Sequence, residues 1–151
     1  MKNLKRKSII VSIFLSVLAC VISLFGWVDS VFAESAQDVK QNSGFAQALH
    51  LEGNWVRSDG GYKLVIKDVK PDGSLKASYY NPKKINVSVA KWTIEEDRLQ
   101  LFVELRDTNY PGSTYTLVYA EQKDVLDGTY FLAVTKERYS IRFLRIPKGQ
   151  N

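Results

Sequence analysis

The sequence predicts an all-β domain: an eight-stranded antiparallel up-and-down barrel behind an N-terminal signal segment. Three observations carry that expectation. Apolar residues alternate with polar ones at a period of two along most of the chain after residue 52, as half-buried antiparallel strands require. Short turn-forming clusters separate the alternating runs. No helical pattern of ten or more residues interrupts them, and parallel crossovers need such a segment. Closing a meander of this kind removes the exposed edges that an open sheet would leave. A two-sheet sandwich is the competing arrangement; short turns between every consecutive pair favour the meander.

The elements follow in order. Residues 1–33 read as a signal peptide, with Lys2, Lys5, Arg6 and Lys7 before an uncharged apolar run from Ser8 to Val28. Val31-Phe32-Ala33 then places small residues where a signal peptidase reads. The apolar run is also long enough to span a bilayer, so a retained anchor is a second reading. Lipidation at Cys20, within Val17-Leu18-Ala19-Cys20, is a third. The expected location is periplasmic or extracellular, and the membrane enters only through this segment, if it is uncleaved or lipidated.

Residues 34–52 form a polar, flexible lead-in, with a short helix over Phe45 to Leu51 that sets Phe45, Ala48 and Leu49 on one face. The barrel covers 53–147 and a tail covers 148–151. Its strands are expected at Gly53–Arg57, Tyr62–Val69, Leu75–Tyr80, Ile85–Ile94, two runs on either side of Tyr110-Pro111-Gly112 within Arg98–Tyr119, Val125–Val134 and Arg138–Ile146. Lys70-Pro71-Asp72-Gly73 supplies a turn, Pro presetting φ and Gly accepting its positive value. Asn81-Pro82 breaks the third strand, since Pro lacks a ladder donor.

Composition excludes several classes of function. The chain of 151 residues carries 21 Lys+Arg against 16 Asp+Glu, but four of the bases precede Ala33. From Glu34 on, the balance is close to neutral, which gives no footprint for nucleic acid. Cys20 is the sole cysteine, so the domain has no disulfide, and at roughly 118 residues it buries enough surface to need none. His50 is the sole histidine, which leaves no histidine pair for zinc and no convincing Ser-His-Asp site. No cofactor or metal is expected, and the chain reads as non-catalytic.

Gly53-Asn54-Trp55 at the first strand resembles the Gly-X-Trp that opens lipocalins and avidins. The stretch GNWVRSDGGYKLVIKDVKPDGSLKASYY is similar to the opening of an avidin, with an aromatic-led second strand, Asp72-Gly73-X-Leu75 and Tyr79 at a strand end. NYPGSTYTL resembles a stretch in small uncharacterised secreted bacterial proteins. The resemblance implies a lipocalin/avidin-like (calycin-type) barrel. Biotin is not implied: the polar residue two after the tryptophan is Arg57 here, and only Tyr79 matches a ligand contact. From lipocalins comes a further expectation, that Arg145 lies across Trp55 at the closed end as a cation–π contact, with Gly53 and Trp55 structural.

Strand parity turns Tyr79, Tyr115, Tyr119, Tyr130 and Tyr139 toward the lumen with Leu64, Ile66, Leu101, Val103, Leu117 and Phe143. Buried phenols need partners. These five tyrosines are the candidate ligand-binding residues, for a small apolar or aromatic ligand. Glu104, Arg106, Asp107, Asn109 and Tyr110 are the candidate loop or rim. On the opposite parity Tyr80, Trp92, Phe102, Phe131 and Leu144 would form an outer aromatic patch. With the loops Ser58–Gly61 and Thr108–Ser113, that patch supports the alternative: a protein-binding barrel, for example an inhibitor of an envelope hydrolase, or self-association.

Overall fold

The computed structural model describes residues 42–147 and 149. The predicted signal segment, residues 34–41 of the lead-in and the tail apart from Gly149 lie outside the described residues. One antiparallel sheet accounts for nearly all of the domain. Its strands are β1 (Gly53–Arg57), β2 (Lys63–Lys67), β3 (Lys76–Asn81), β4 (Lys83–Ile85), β5 (Val87–Glu95), β6 (Arg98–Asp107), β7 (Tyr110–Ala120), β8 (Val125–Leu132) and β9 (Glu137–Ile146). The spatial order is β4-β3-β2-β1-β9-β8-β7-β6-β5. Neighbours in sequence are neighbours in space except at β4/β5, and β9 returns to β1, as a closing meander requires.

The strands number nine rather than eight because the predicted fourth strand is divided at Asn86. Before it, β4 pairs with β3; after it, β5 pairs with β6. Asn86 fixes the switch. Its backbone N–H donates to Asp107 Oδ2 (3.0 Å), its side-chain amide donates to the Arg106 carbonyl (3.0 Å), and its own carbonyl accepts from Arg106 N–H (2.9 Å). One broken strand therefore supplies both edges of the sheet. The edges meet through a bridge between Ser74 and Lys91 and a hydrogen bond from Trp92 N–H to the Gly73 carbonyl (2.8 Å). The result is a nearly closed antiparallel barrel of calycin-like form.

Two irregularities revise the sequence expectations. The register of β5 against β6 shifts between Val87 and Val89. A bulge of this kind reverses the parity of everything beyond it. Val89 therefore turns outward and Trp92 turns inward, where it is 6% exposed and donates from Nε1 to the Lys70 carbonyl (2.9 Å). Trp92 belongs to the core and not to an outer patch. The second shift lies between Leu105 and Arg106. The chain reverses at Thr108-Asn109, while Pro111 and Gly112 already lie in β7. Pro111 is tolerated because it stands beside the shift at the end of the ladder.

Elsewhere alternation predicts burial well. Leu64, Ile66, Leu101, Val103, Leu105, Tyr115, Leu117, Leu126 and Phe143 are all essentially inaccessible and fill the middle of the barrel. Gly128 faces the same interior. A Cβ there would stand 2.1 Å from the Thr116 carbonyl oxygen and 2.9 Å from Leu117 Cα, so β7 and β8 approach each other only because the side chain is missing.

One end of the barrel is capped. Residues 42–48 are helical and continue into a 3-10 turn at Leu49–Leu51. The tighter turn changes the phase of the lead-in. Ala48 and Leu51, three residues apart, are fully buried, and Phe45 packs on the core. Leu49, expected on that face, is 46% exposed instead.

Candidate functional site

The capped end holds the predicted structural group. Trp55 is fully buried and donates from Nε1 to the Leu51 carbonyl (3.0 Å), tying the 3-10 turn to β1. The Arg145 guanidinium stands 4.0 Å from the centre of the Trp55 ring. It also donates to the carbonyls of His50 and Glu52 and pairs with Asp124 (2.6 Å). That hydrogen bond from Arg145 holds the Asp124 carboxyl below the usual carboxylate range. Gly53 makes the approach possible: its φ is +144°, and a Cβ would lie 2.6 Å from Arg145 Nη1.

Tyr119 belongs to this end too. Its hydroxyl donates to Asp124 (2.9 Å), its ring stacks with His50, and it forms a T-shaped pair with Trp55. It is thus placed with the cap, away from the other four tyrosines singled out by parity.

Those four gather at the opposite, open end. The Tyr115 and Tyr130 rings stack at 4.6 Å, Tyr130 stacks with Tyr139 at 6.4 Å, and Tyr79 tilts against Tyr115 at 5.5 Å. Tyr79, Tyr115 and Tyr130 are buried, whereas Tyr139 is 43% exposed at the outer lip, its hydroxyl bound to Glu137. Around them lies a recess of about 300 Å³, lined by Arg57, Tyr62, Tyr79, Asn81, Asn109, Tyr110, Tyr130, Leu132 and Tyr139. The recess sits over the filled middle of the barrel.

The rim candidates divide. Asn109 and Tyr110 line the recess; the Tyr110 hydroxyl accepts from Asn81 (2.6 Å), and the Tyr110 and Tyr79 rings form a T-shaped pair at 6.3 Å. Glu104 and Arg106 pair with each other on the outer wall (2.6 Å), Glu104 opposite Thr114, and Asp107 is occupied by the backbone N–H groups of Asn86 and Thr108. These three do not line the recess.

Arg57 is the residue that the sequence reading passed over. Its side chain is 11% exposed. The guanidinium is wedged between aromatic rings, 3.9 Å from the centre of Tyr62 and 5.7 Å from that of Tyr130. Nε and Nη2 form a fork onto Asp59 (2.6 and 2.8 Å), and Nη1 donates to the Tyr115 hydroxyl (3.2 Å). The signal was present in the sequence: Arg57 shares a face with Trp55, two residues earlier on the same strand.

Electrostatics follow from the burial. Burial works against the Arg57 charge, but the hydrogen bonds to Asp59 and Tyr115 outweigh it and keep the guanidinium firmly protonated. Burial pushes the Tyr115 phenol up to about 12, although its bonds to Tyr79 and Arg57 act in the other direction. Burial also raises Tyr79 and Tyr130. The site is therefore a neutral phenol cluster around one fixed cation. Among the described residues no three His, Cys, Asp or Glu side chains converge on a metal position.

No protein-family model matches this chain, and neither the curated proteins nor the solved structures give a match. What the fold and site define is a class: a nearly closed antiparallel barrel with one end capped and an aromatic recess at the other.

Proposed function

We propose that this chain is an exported, non-catalytic barrel of the lipocalin/avidin type that binds a small aromatic or apolar ligand at its open end. The observation that carries the reading is the recess itself. It measures about 300 Å³, is walled by stacked tyrosines, and surrounds a nearly buried arginine. Small-molecule sites are concave, largely apolar and carry a few fixed polar groups that orient the guest. On this reading the guest sits at the mouth, because buried side chains fill the middle of the barrel. Kinship with lipocalins and avidins is supported by Gly53-Asn54-Trp55 and by the arginine of the last strand lying over that tryptophan.

The alternative, a protein partner docked on outer aromatics, is weakened by the burial of Trp92. Phe102 and Phe131 each lie beneath a cation, Lys91 at 5.6 Å and Arg138 at 5.0 Å, and so do not merge into an apolar patch.

Native mass spectrometry of the domain from Glu34 to Asn151, purified gently from its own cells, tests the reading. A discrete small-molecule adduct weakened by Tyr130→Phe is the expected result. A bare mass, together with capture of a stoichiometric protein partner, would overturn it.

A further inference from the structure

The hydrogen bonds at the floor of the recess have a direction. Tyr115 and Tyr79 share one bond of 2.8 Å between their hydroxyls, and both residues are essentially inaccessible. The Tyr115 oxygen already accepts from the Arg57 guanidinium. A phenol that accepts from a cation becomes a better donor, so its proton goes onward to the Tyr79 oxygen. Two hydroxyls in series hold two protons, and the bond between them uses one. The second is that of Tyr79, and among the described residues no side chain accepts it. Of the pair, Tyr79 is the member that lines the recess. The chain therefore runs from guanidinium to phenol to phenol and ends on the O–H of Tyr79, a residue of the recess lining.

The charges around it point the same way. The lining contains one cation, Arg57, and no carboxylate. Asp59, which the guanidinium grips, is 53% exposed, so water screens its charge while Arg57 remains inside. The fork onto Asp59 and the single bond to Tyr115 leave N–H groups on both terminal nitrogens of Arg57 without a bond to a described residue. The walls, meanwhile, are flat rings in stacked pairs.

We infer that the recess is selective for a planar aromatic acid: the ring lies among Tyr62, Tyr130 and Tyr139, and its carboxylate accepts from Tyr79 O–H and Arg57 N–H at the floor. This rests on the ligand-binding reading above and assigns its chemical class. A planar cation is disfavoured by Arg57, and a neutral alcohol of the same shape offers a weaker acceptor.

Calorimetric titration with three probes of one shape tests this: 2-naphthoate, 2-naphthalenemethanol and 2-naphthylmethylammonium. The protein is taken in the processed form its own cells yield. Naphthoate is expected to bind about tenfold or more tighter than the alcohol, as hydrogen bonds to a charged group allow, with the ammonium weakest. Tyr79→Phe should remove most of the naphthoate preference while changing the alcohol about twofold at most. Tyr119→Phe, at the capped end, should change neither.

Equal binding of the three probes, or a naphthoate affinity untouched by Tyr79→Phe, overturns the acid selectivity and leaves the ligand-binding reading standing. Failure of every probe to bind overturns the aromatic-acid assignment, and the native mass then decides the ligand-binding reading. If Tyr79→Phe does not fold, the order of the three probes on the parent protein decides the matter.

Discussion

Replacing Arg145 by alanine should loosen the capped end by an amount that the contacts define. The guanidinium covers the buried Trp55 ring at 4.0 Å, a partly desolvated cation–π contact worth about 1 kcal/mol. It donates to the carbonyls of His50 and Glu52, which water can reach once the side chain is gone, so about 0.5–1 kcal/mol is lost at each. The ion pair with Asp124 is partly exposed on both sides and adds at most about 1 kcal/mol. The loss comes to about 2–4 kcal/mol, which for a domain of this size lowers the thermal midpoint by roughly 10 °C or more. Urea unfolding should move its midpoint without changing its slope, because the surface exposed on unfolding is the same. The pH dependence gives an independent sign. Arg145 holds Asp124 below its ordinary value of 3.8, so the pair stabilises the fold at pH values above that and loses its contribution as pH falls through the depressed value. The gap between parent and Arg145→Ala should therefore be full at neutral pH and narrow below about pH 3.8. A midpoint within about 2 °C of the parent at pH 7 would refute the cap as a stabilising device.

Three further outcomes follow from the interior. Gly128→Ala places a Cβ against the backbone of β7 and should cost more than about 3 kcal/mol, read as loss of the cooperative thermal transition or a very low midpoint. Trp92→Ala should cost about 3–5 kcal/mol in chemical denaturation, as a buried tryptophan at the barrel seam demands; a surface tryptophan would cost almost nothing. Tyr115 ionises near 10 in the unfolded chain and only near 12 when folded, so its burial stabilises the fold below pH 10 and loses that contribution as pH rises toward 12. Absorbance at the phenolate band should show the Tyr79 and Tyr115 fraction appearing only together with alkaline unfolding.

Period-two alternation located the strands because one face of each is buried against the lumen, and that constraint acts on every residue. It gave β1 to the residue and placed Leu101, Leu117 and Phe143 in the core. It failed where a single residue was inserted. Nothing in VSVAKWTIE marks Val87 to Val89 as a bulge: the run is apolar enough on both faces to satisfy either parity, and only pairing with β6 decides. Trp92 went to the wrong side for that reason. Pro111-Gly112 misled differently, since the pair suits a turn and equally suits the register shift at which it lies. Longitudinal position was the larger omission. Parity says which side of the wall a residue faces but not which end of the barrel it occupies, so Tyr119 was grouped with tyrosines at the far mouth.

The two ends also explain each other. At the capped end an arginine crosses a buried tryptophan and is consumed by carbonyls and an aspartate that belong to the fold. At the open end a second arginine is held between tyrosine rings, yet its bonds to Asp59 and Tyr115 leave N–H groups without a bond to a described residue, and both Arg57 and Tyr79 line the recess. Stability alone would not favour the second arrangement. The bonds to Asp59 and Tyr115 offset the desolvation of the guanidinium, but a leucine at position 57 would pack among the same rings with no charge to desolvate, and Asp59 is exposed enough to be rehydrated once its partner is gone. Apolar replacement is the sharper diagnostic for that reason. Arg57→Leu should leave the thermal midpoint equal or higher while abolishing recognition of an acidic guest, whereas a merely structural Arg57 would show a falling midpoint and an unchanged guest preference.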